Sequence, residues 1–584
     1  MVRAESCTFT DRLRARVDAR GDAEAYVFLR DQGAAGLAPE HLTYAALDEQ
    51  ARDIASLLRA RGLAARQVLL LYPSGLPFVA AFAGCQYAGA VAVPAPLPAG
   101  RGQHFQRLSR IAADAEVGLV LTTSAHAALV ESWLAEAEGL DGLTYVVTDE
   151  GPVGDAASWR APELTPDALS FLQYTSGSTS EPKGVMVSHA NLVAQGDALA
   201  RSMGSDADSV FGSWLPMYHD MGLIGHVLQP LQLGARAALM APGTFLSRPV
   251  RWLEMVTEHR VTDGGAPNFA YDACLRRIRD EELAGLDLST WRAACNGAEP
   301  VRADTVTAFV ARFGPVGFRP ETFFPCYGMA EATLLVSGTP RESASVIRTV
   351  DARSLERGSL AAPSSGAATR ELVSSGIVRA QDFEVRVVDP ESRRPLADGR
   401  VGEIWLAGTS VCRGYWARAE QSAEVFGASL EGTGADRLWL RSGDLGAYVD
   451  GELFVTGRLK EMILINGRNV YPHDVEAVAR EVDASLCTGA AFSVPGADGR
   501  ERLVLVQEIK GSAADLDRAA LVRRLQKAVN GEFGVPLGLV ALVRPGTVRR
   551  TTSGKIQRRL MRTLYEEGSL PLLPGTLPAP SPSD

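Results

Sequence analysis

The stretch YTSGSTSEPKG, residues 174–184, gathers hydroxyls and glycines in front of one lysine, Lys183. Hydroxyl groups and glycine N–H groups can wrap an anion while a lysine neutralises it, so the composition suits phosphate; it equally suits a plain surface turn. Further along, SWLPMYHDMGLIG (213–225) sets Tyr218, His219 and Asp220 between a proline and an apolar segment, although a lone histidine is more often structural than catalytic. NGAEP (296–300) can offer backbone amides to a flat ring, or simply turn the chain. FPCYGMAEATLLVSG (324–338) holds one acid, Glu331, among small and apolar residues. A carboxylate there must be paired, solvated or bound to a cation, and Mg²⁺ commonly takes one or two carboxylates beside substrate phosphates. LRSGDLGAYVDGELFVTGRLKE (440–461) offers Asp444 to vicinal hydroxyls and Arg458 to a sugar or phosphate, and RRTTSGKIQRR (549–559) carries Lys555 on a Ser-Gly turn. Neither lysine loop is a Walker A motif; Ile556 stands where Ser or Thr would be needed.

These groups must be positioned by elements. Short apolar segments alternate with helical ones over the first four hundred residues: VLLLY from 68, VGLVLTT from 117, LTYVVTD from 143 and ARAALM from 235. That alternation predicts α/β layers with mostly parallel strands. Near residue 380 the texture changes to EVRVVD, GEIWLAG and ELFVTG with short turns, predicting a small β-rich subdomain. After Gly457 VEAVAREV, LVLVQEI and LVRRLQKAV predict a compact α+β domain. Residues 341–375 are polar and poorly periodic between two clear elements, as a surface insertion would be. The segment from Pro571, PLLPGTLPAPSPSD, reads as a disordered tail.

Bulk properties narrow the class. A chain of 584 residues is long enough for several domains. The net charge of −10 argues against a nucleic-acid partner, which would need excess Lys and Arg. Seven scattered cysteines without metal or redox spacing indicate a reducing, cytoplasmic setting. The N-terminus mixes charge signs and has no apolar leader core. Residues 67–100 contain no charged side chain, yet Pro73, Pro77, Pro94, Pro96 and Pro98 punctuate them. Buried strand, helix, buried strand fits that run better than a membrane span.

Each cluster alone has an ordinary explanation, but their order along the chain resembles the adenylate-forming enzymes: acyl-CoA ligases, peptide-synthetase adenylation domains and luciferases. The resemblance spans about residues 40–565. It implies an acyl-CoA synthetase-like fold, with a large N-terminal domain of two α/β subdomains plus a β-rich one over 1–458, and a small mobile C-terminal domain over 459–570. It implies ATP and Mg²⁺ as cofactors. Thr175, Ser176, Gly177, Ser178, Thr179 and Lys183 would hold phosphates, Glu331 would bind Mg²⁺, and Thr333 would touch the α-phosphate. Asn296, Gly297, Ala298, Glu299, Tyr327, Gly328, Met329 and Ala330 would surround the nucleotide, with Asp444 on the ribose and Arg458 on ribose or phosphate. Lys555 and His219 would be catalytic, Lys555 bridging carboxylate and α-phosphate, and Lys460 would be the hinge.

The wording of the motifs, notably GRLKEMILINGRNVYP and FLQYTSGSTSEPKGVMVSHANL, looks most like the fatty acyl-AMP ligases. That family implies a fatty acid as substrate and a phosphopantetheinylated acyl carrier protein, here on a separate chain, as acceptor. Its insertion after the Glu motif, matched by 341–375, is held to disfavour free CoA. TDGGAPNFAYDAC (262–274) resembles the fatty-acid tunnel, so Gly225, Gly264, Gly265 and Ala266 would leave volume for an alkyl chain that Phe269 and Tyr271 line; core packing is the other role for those aromatics. Arg549-Arg550 and Ser442 depart from the family's commoner Pro-Lys and Thr without touching a proposed catalytic atom. The competing readings are an acyl-CoA ligase using free CoA and an inactive nucleotide-binding interaction protein.

Overall fold

The computed structural model describes residues 7–98, 102–175, 182–431, 437–465, 468–496, 501–510, 517–551 and 554–573. The uncharged run near residue 80 forms strand Gln67–Leu71, helix Leu76–Ala88 and strand Val91–Ala95. Both strands are wholly buried, and the helix is buried from Phe78 onward. An element apolar on every side must lie inside the protein. Gly89 ends the helix in the left-handed region, φ +69°, which a side chain would strain. No helix among the described residues is long and apolar enough to cross a membrane.

Among the described residues the first 378 positions build two mostly parallel sheets. One has six strands, with the predicted segments at Gln67–Leu71, Leu119–Thr122 and Tyr145–Val147 side by side; it ends in the antiparallel pair Leu169–Thr175 and Lys183–Ser188. In that pair Thr175 is the register partner of Lys183.

The other sheet has nine strands. Its middle holds Val210–Ser213, Asp263–Ala266, Ala293–Asn296 and Phe323–Gly328 in parallel. Each of these four strands lies in or leads into one of the sequence motifs. A parallel sheet aligns the carboxyl ends of its strands, and loops leaving those ends converge. The Tyr218–Asp220 turn, Phe269, the 297–299 turn and Glu331 are thereby brought together from positions over a hundred residues apart.

A third, antiparallel sheet of Phe383–Val388, Gly402–Gly408, Leu440–Val449 and Glu452–Arg458 follows, as the change of texture predicts. Residues from Ile463 onward have cores of their own: Val475, Leu503, Leu505, Leu525 and Val529 on one face of sheet Leu486–Pro495/Glu501–Ile509/Leu537–Val543, and Val504, Val506, Met561 and Tyr565 on the other.

The structure adds detail to one sequence expectation and corrects another. The polar stretch 341–375 is folded: strands Ile347–Asp351 and Thr369–Val373 form a hairpin around helix Ala352–Glu356. Val350, Leu355 and Leu360 pack with Ala447, Phe454 and Tyr471, so a few well-spaced apolar residues sufficed where periodicity was weak. The expected tail does not begin at Pro571. Leu572 pairs with Val543, and the Leu573 N–H donates to the Leu542 carbonyl at 2.9 Å; residues 574–584 lie outside the described residues.

Candidate active site

The converging loops line a cavity of about 1760 Å³ between the large sheets, the antiparallel sheet and the C-terminal residues. Asp444 and Arg458 are register partners on adjacent antiparallel strands, which is why they face one another. Arg458 Nε donates to Asp444 Oδ1 at 3.0 Å, and the Tyr327 hydroxyl donates to Oδ2 at 2.8 Å. Buried Asp444 is thus held by two donors of different origin.

Glu331 follows the end of strand Phe323–Gly328. Burial pushes its carboxyl up, and the Tyr415 hydroxyl, donating to Oε1 at 2.8 Å, opposes this. Lys183 lies over the Tyr415 ring, its Nζ 5.2 Å from the centroid. Burial and the nearby cations Lys460 and Arg418 hold the Lys183 ammonium below the ordinary lysine range, against the pull of Glu331 and Glu424. Tyr415, from GYW at 414–416, had no motif to announce it in the sequence; only the fold brings it under Glu331.

His219 Nδ1 sits 2.6 Å from Asp220 Oδ1. Burial alone would raise the Asp220 carboxyl, but His219 and Lys555 overcome it and lower it to about 2. Lys555 arrives from the C-terminal residues on a turn closed by Thr551 N–H to Lys555 O at 2.7 Å, with Gly554 at φ +87°. Its ammonium is pushed down by burial and by Arg458, and drawn up by Asp220, Asp444 and Glu299. Glu299 accepts from the Phe269 N–H at 2.6 Å, while burial raises its carboxyl. Lys183, Lys460, Arg458 and Lys555 therefore line one cavity, and both lysines 183 and 555 are destabilised as cations there. A polyanion would relieve that destabilisation.

The other expected residues divide. Gly297, Ala298, Tyr327, Gly328, Met329, Ala330, Gly225 and Phe269 line the cavity. Ala298 and Thr333 both take positive φ, +66° and +70°, so each motif carries a backbone bend that non-glycine residues adopt at a cost of about 1–3 kcal/mol. Asn296 is fully buried beneath the turn, its Nδ2 donating to Asn268 Oδ1 at 3.2 Å. The Thr333 hydroxyl does not face the cavity; it donates to the Ser410 carbonyl at 2.6 Å. Ser176, Gly177, Ser178 and Thr179, and the side chain of Thr175, lie outside the described residues.

The expected alkyl-chain role of Gly264, Gly265, Ala266 and Tyr271 is corrected. A Cβ at Gly264 would come within 2.6 Å of the Gly212 carbonyl oxygen and one at Gly265 within 2.3 Å of that of Cys295, so these glycines serve strand-to-strand approach. Ala266 is buried in the same strand, and Tyr271 is core, its hydroxyl donating to the Cys295 carbonyl at 2.7 Å.

A family model of AMP-binding enzymes matches residues 13–416. The chain is 40% identical over 580 residues to the medium-chain-fatty-acid–acyl-carrier-protein ligase JamA of Moorena producens, covering 98% of this chain and 97% of that one. It is 36% identical to a long-chain-fatty-acid–AMP ligase of Mycolicibacterium smegmatis, covering 94% and 93%. A fatty acyl-adenylate ligase from Legionella pneumophila, solved with acyl adenylate and pyrophosphate, superposes with a TM-score of 0.75 at 34% identity over 98% of both chains. With a cation-lined cavity formed by the matched region and the residues that follow it, the chain belongs to the AMP-binding enzymes and, among them, to the fatty acyl-AMP ligases.

Proposed function

We propose that this chain couples a fatty acid to AMP and passes the acyl group to the phosphopantetheine thiol of an acyl carrier protein. The observation that carries the reading is the position of Lys555, which faces Asp444, Glu299 and Asp220 in the cavity that Lys183 also lines. In the first step a carboxylate oxygen attacks the α-phosphorus of ATP, the bond to the β-phosphate oxygen breaks, and pyrophosphate leaves. Two anions approach, so positive charge preorganised between them lowers the barrier. Lys555 supplies it at the α-phosphate and Lys183 at the departing phosphates, with Ser176–Thr179 in the same loop. Asp444 accepts from the ribose hydroxyls while Arg458 orients it, and the 297–299 turn faces the base. His219, fixed by Asp220, stands beside the carboxylate. In the second step the carrier thiolate attacks the acyl carbonyl and AMP departs.

Glu331 fits a cation. It lines the cavity near Lys183, destabilised by burial and held by one hydroxyl, and among the described residues no cluster of three or more His, Cys, Asp or Glu competes for the metal. It would hold Mg²⁺ together with substrate phosphates, the metal neutralising phosphate charge. Lys460, exposed between strand Glu452–Arg458 and the residues with their own core, is our hinge candidate, so that the domains divide near 458 and run to about 570. The folded 341–375 insertion supports a carrier protein over free CoA.

Mass-spectrometric product analysis with ATP, Mg²⁺ and a fatty-acid series, with and without CoA, tests this. Acyl-AMP that accumulates and ignores CoA is expected. Rapid conversion to acyl-CoA would overturn the carrier-protein reading.

A further inference from the structure

Behind His219 the chain makes a π-helical turn, Leu223–Leu228. Leu223, Ile224, Val227 and Leu228 face the core, and Gly225 and His226 face the cavity. Such wide turns recur at functional sites because they re-aim side chains. His226 is only 3% exposed. Its Nδ1 lies 2.8 Å from the Met221 carbonyl oxygen. A carbonyl can only accept, so Nδ1 carries the proton and Nε2 of the neutral ring presents a lone pair. Burial keeps the ring neutral, lowering its pKa to about 4.

Nε2 has no hydrogen-bond partner among the described residues and is not sealed in packed protein, as His189 Nδ1 is. The neighbouring wall is apolar: Leu199, Met203 and Leu334 line the same cavity, and a Cβ on Gly225 would touch Leu334 alone, at 3.4 Å. That wall is also fixed. Gln195 bridges the Leu335 carbonyl and the Leu334 N–H at 3.3 Å each, and Gln229 and Gln232 donate to the Gly196 and Val193 carbonyls at 3.0 and 3.1 Å. A lone acceptor in a rigid apolar recess is unfavourable unless an occupant brings a donor.

We propose that His226 is a specificity-determining residue whose Nε2 accepts a hydrogen bond from a hydroxyl on the acyl chain, making hydroxylated fatty acids the preferred substrates. The inference rests on the fatty-acid reading of the cavity. It is tested by pyrophosphate release with pairs of hydroxylated and unsubstituted acids of equal length, the hydroxyl moved stepwise along the chain, for the wild type, His226→Leu and His226→Gln. One hydroxyl position is expected to raise kcat/KM about ten- to a hundredfold over its plain partner. The Leu variant should bring that ratio to about one, and Gln, which keeps an acceptor, should restore part of it. Turnover of plain acids with no preferred hydroxyl position, or a preference that survives in the Leu variant, overturns the inference alone. Should the Leu variant fail to fold, the wild-type series still decides. No pyrophosphate with any fatty acid overturns the adenylation reading together with it.

Discussion

The nucleotide side of the cavity and the side that brings Lys555 are held in different ways. Asp444, Tyr327 and Glu331 sit on or at the ends of buried strands, each tied by a hydrogen bond of 2.8–3.0 Å to a neighbour from another element. Lys555 belongs to residues with a separate core, which meet the rest of the chain through the apolar packing of Tyr471 and through charged pairs. Arg468 with Glu356, Arg302 with Glu481 and Arg370 with Glu532 join the two sides, and Arg370 also covers the Phe533 ring. Partly exposed ion pairs are each worth about 0–1 kcal/mol because water screens them. On the proposed function, the nucleotide would meet firmly tied strand-end groups, while the lysine assigned to the first step rides on a body joined in part by such weak pairs. Domain movement of that kind is normally absorbed at a few connecting residues.

The largest effect that would break this contrast comes from Lys555→Ala. Acyl-AMP formation should fall about 10²–10³-fold, the scale for losing one preorganised donor, while transfer from chemically supplied acyl-AMP to a carrier thiol should persist. Equal loss of both half-reactions, measured separately, would show that the lysine is not confined to the first.

The pH dependence of acyl-AMP formation sharpens the same point with a smaller effect. Lys555 and Lys183 act as cations, and both have pKa values lowered from the ordinary 10.5. A lowered lysine loses its proton at lower pH, so kcat/KM for ATP, which reports the free enzyme, should fall on the alkaline side before 10.5, about tenfold per unit once past the apparent pKa. A profile flat up to 10.5 would mean the cavity does not destabilise these charges.

The smallest effect is expected from Glu356→Gln, which removes one link between the insertion and Arg468. With Arg468 about one-third exposed, unfolding stability should change by no more than about 1 kcal/mol, read as a small shift of the denaturant midpoint. A loss of several kcal/mol would make the junction as firm as the ties at the strand ends.

Much of the site could be read in the sequence because its groups come in contiguous motifs of unusual composition, as around Lys183, Asp444 and Lys555. Residues without such a setting could not be read. Tyr415 is an ordinary tyrosine until folding sets it beside Glu331 and Lys183. His226 follows His219 by seven residues, but its orientation depends on one π-helical turn. Gly264 and Gly265 misled for a related reason: a glycine that makes room for a ligand and one that makes room for a neighbouring strand are spelled alike.

The sequence alone determined the α/β class, the texture changes near 380 and 457, and which residue types were available for phosphate, ribose and metal, since periodicity and composition are local properties of the chain. Tertiary structure decided which of those groups meet. Parallel strands bring their carboxyl ends to one line, antiparallel register sets Asp444 against Arg458, and a separately cored body delivers Lys555. These pairings join residues far apart in the chain, and their register and packing distances are settled only when the sheets form.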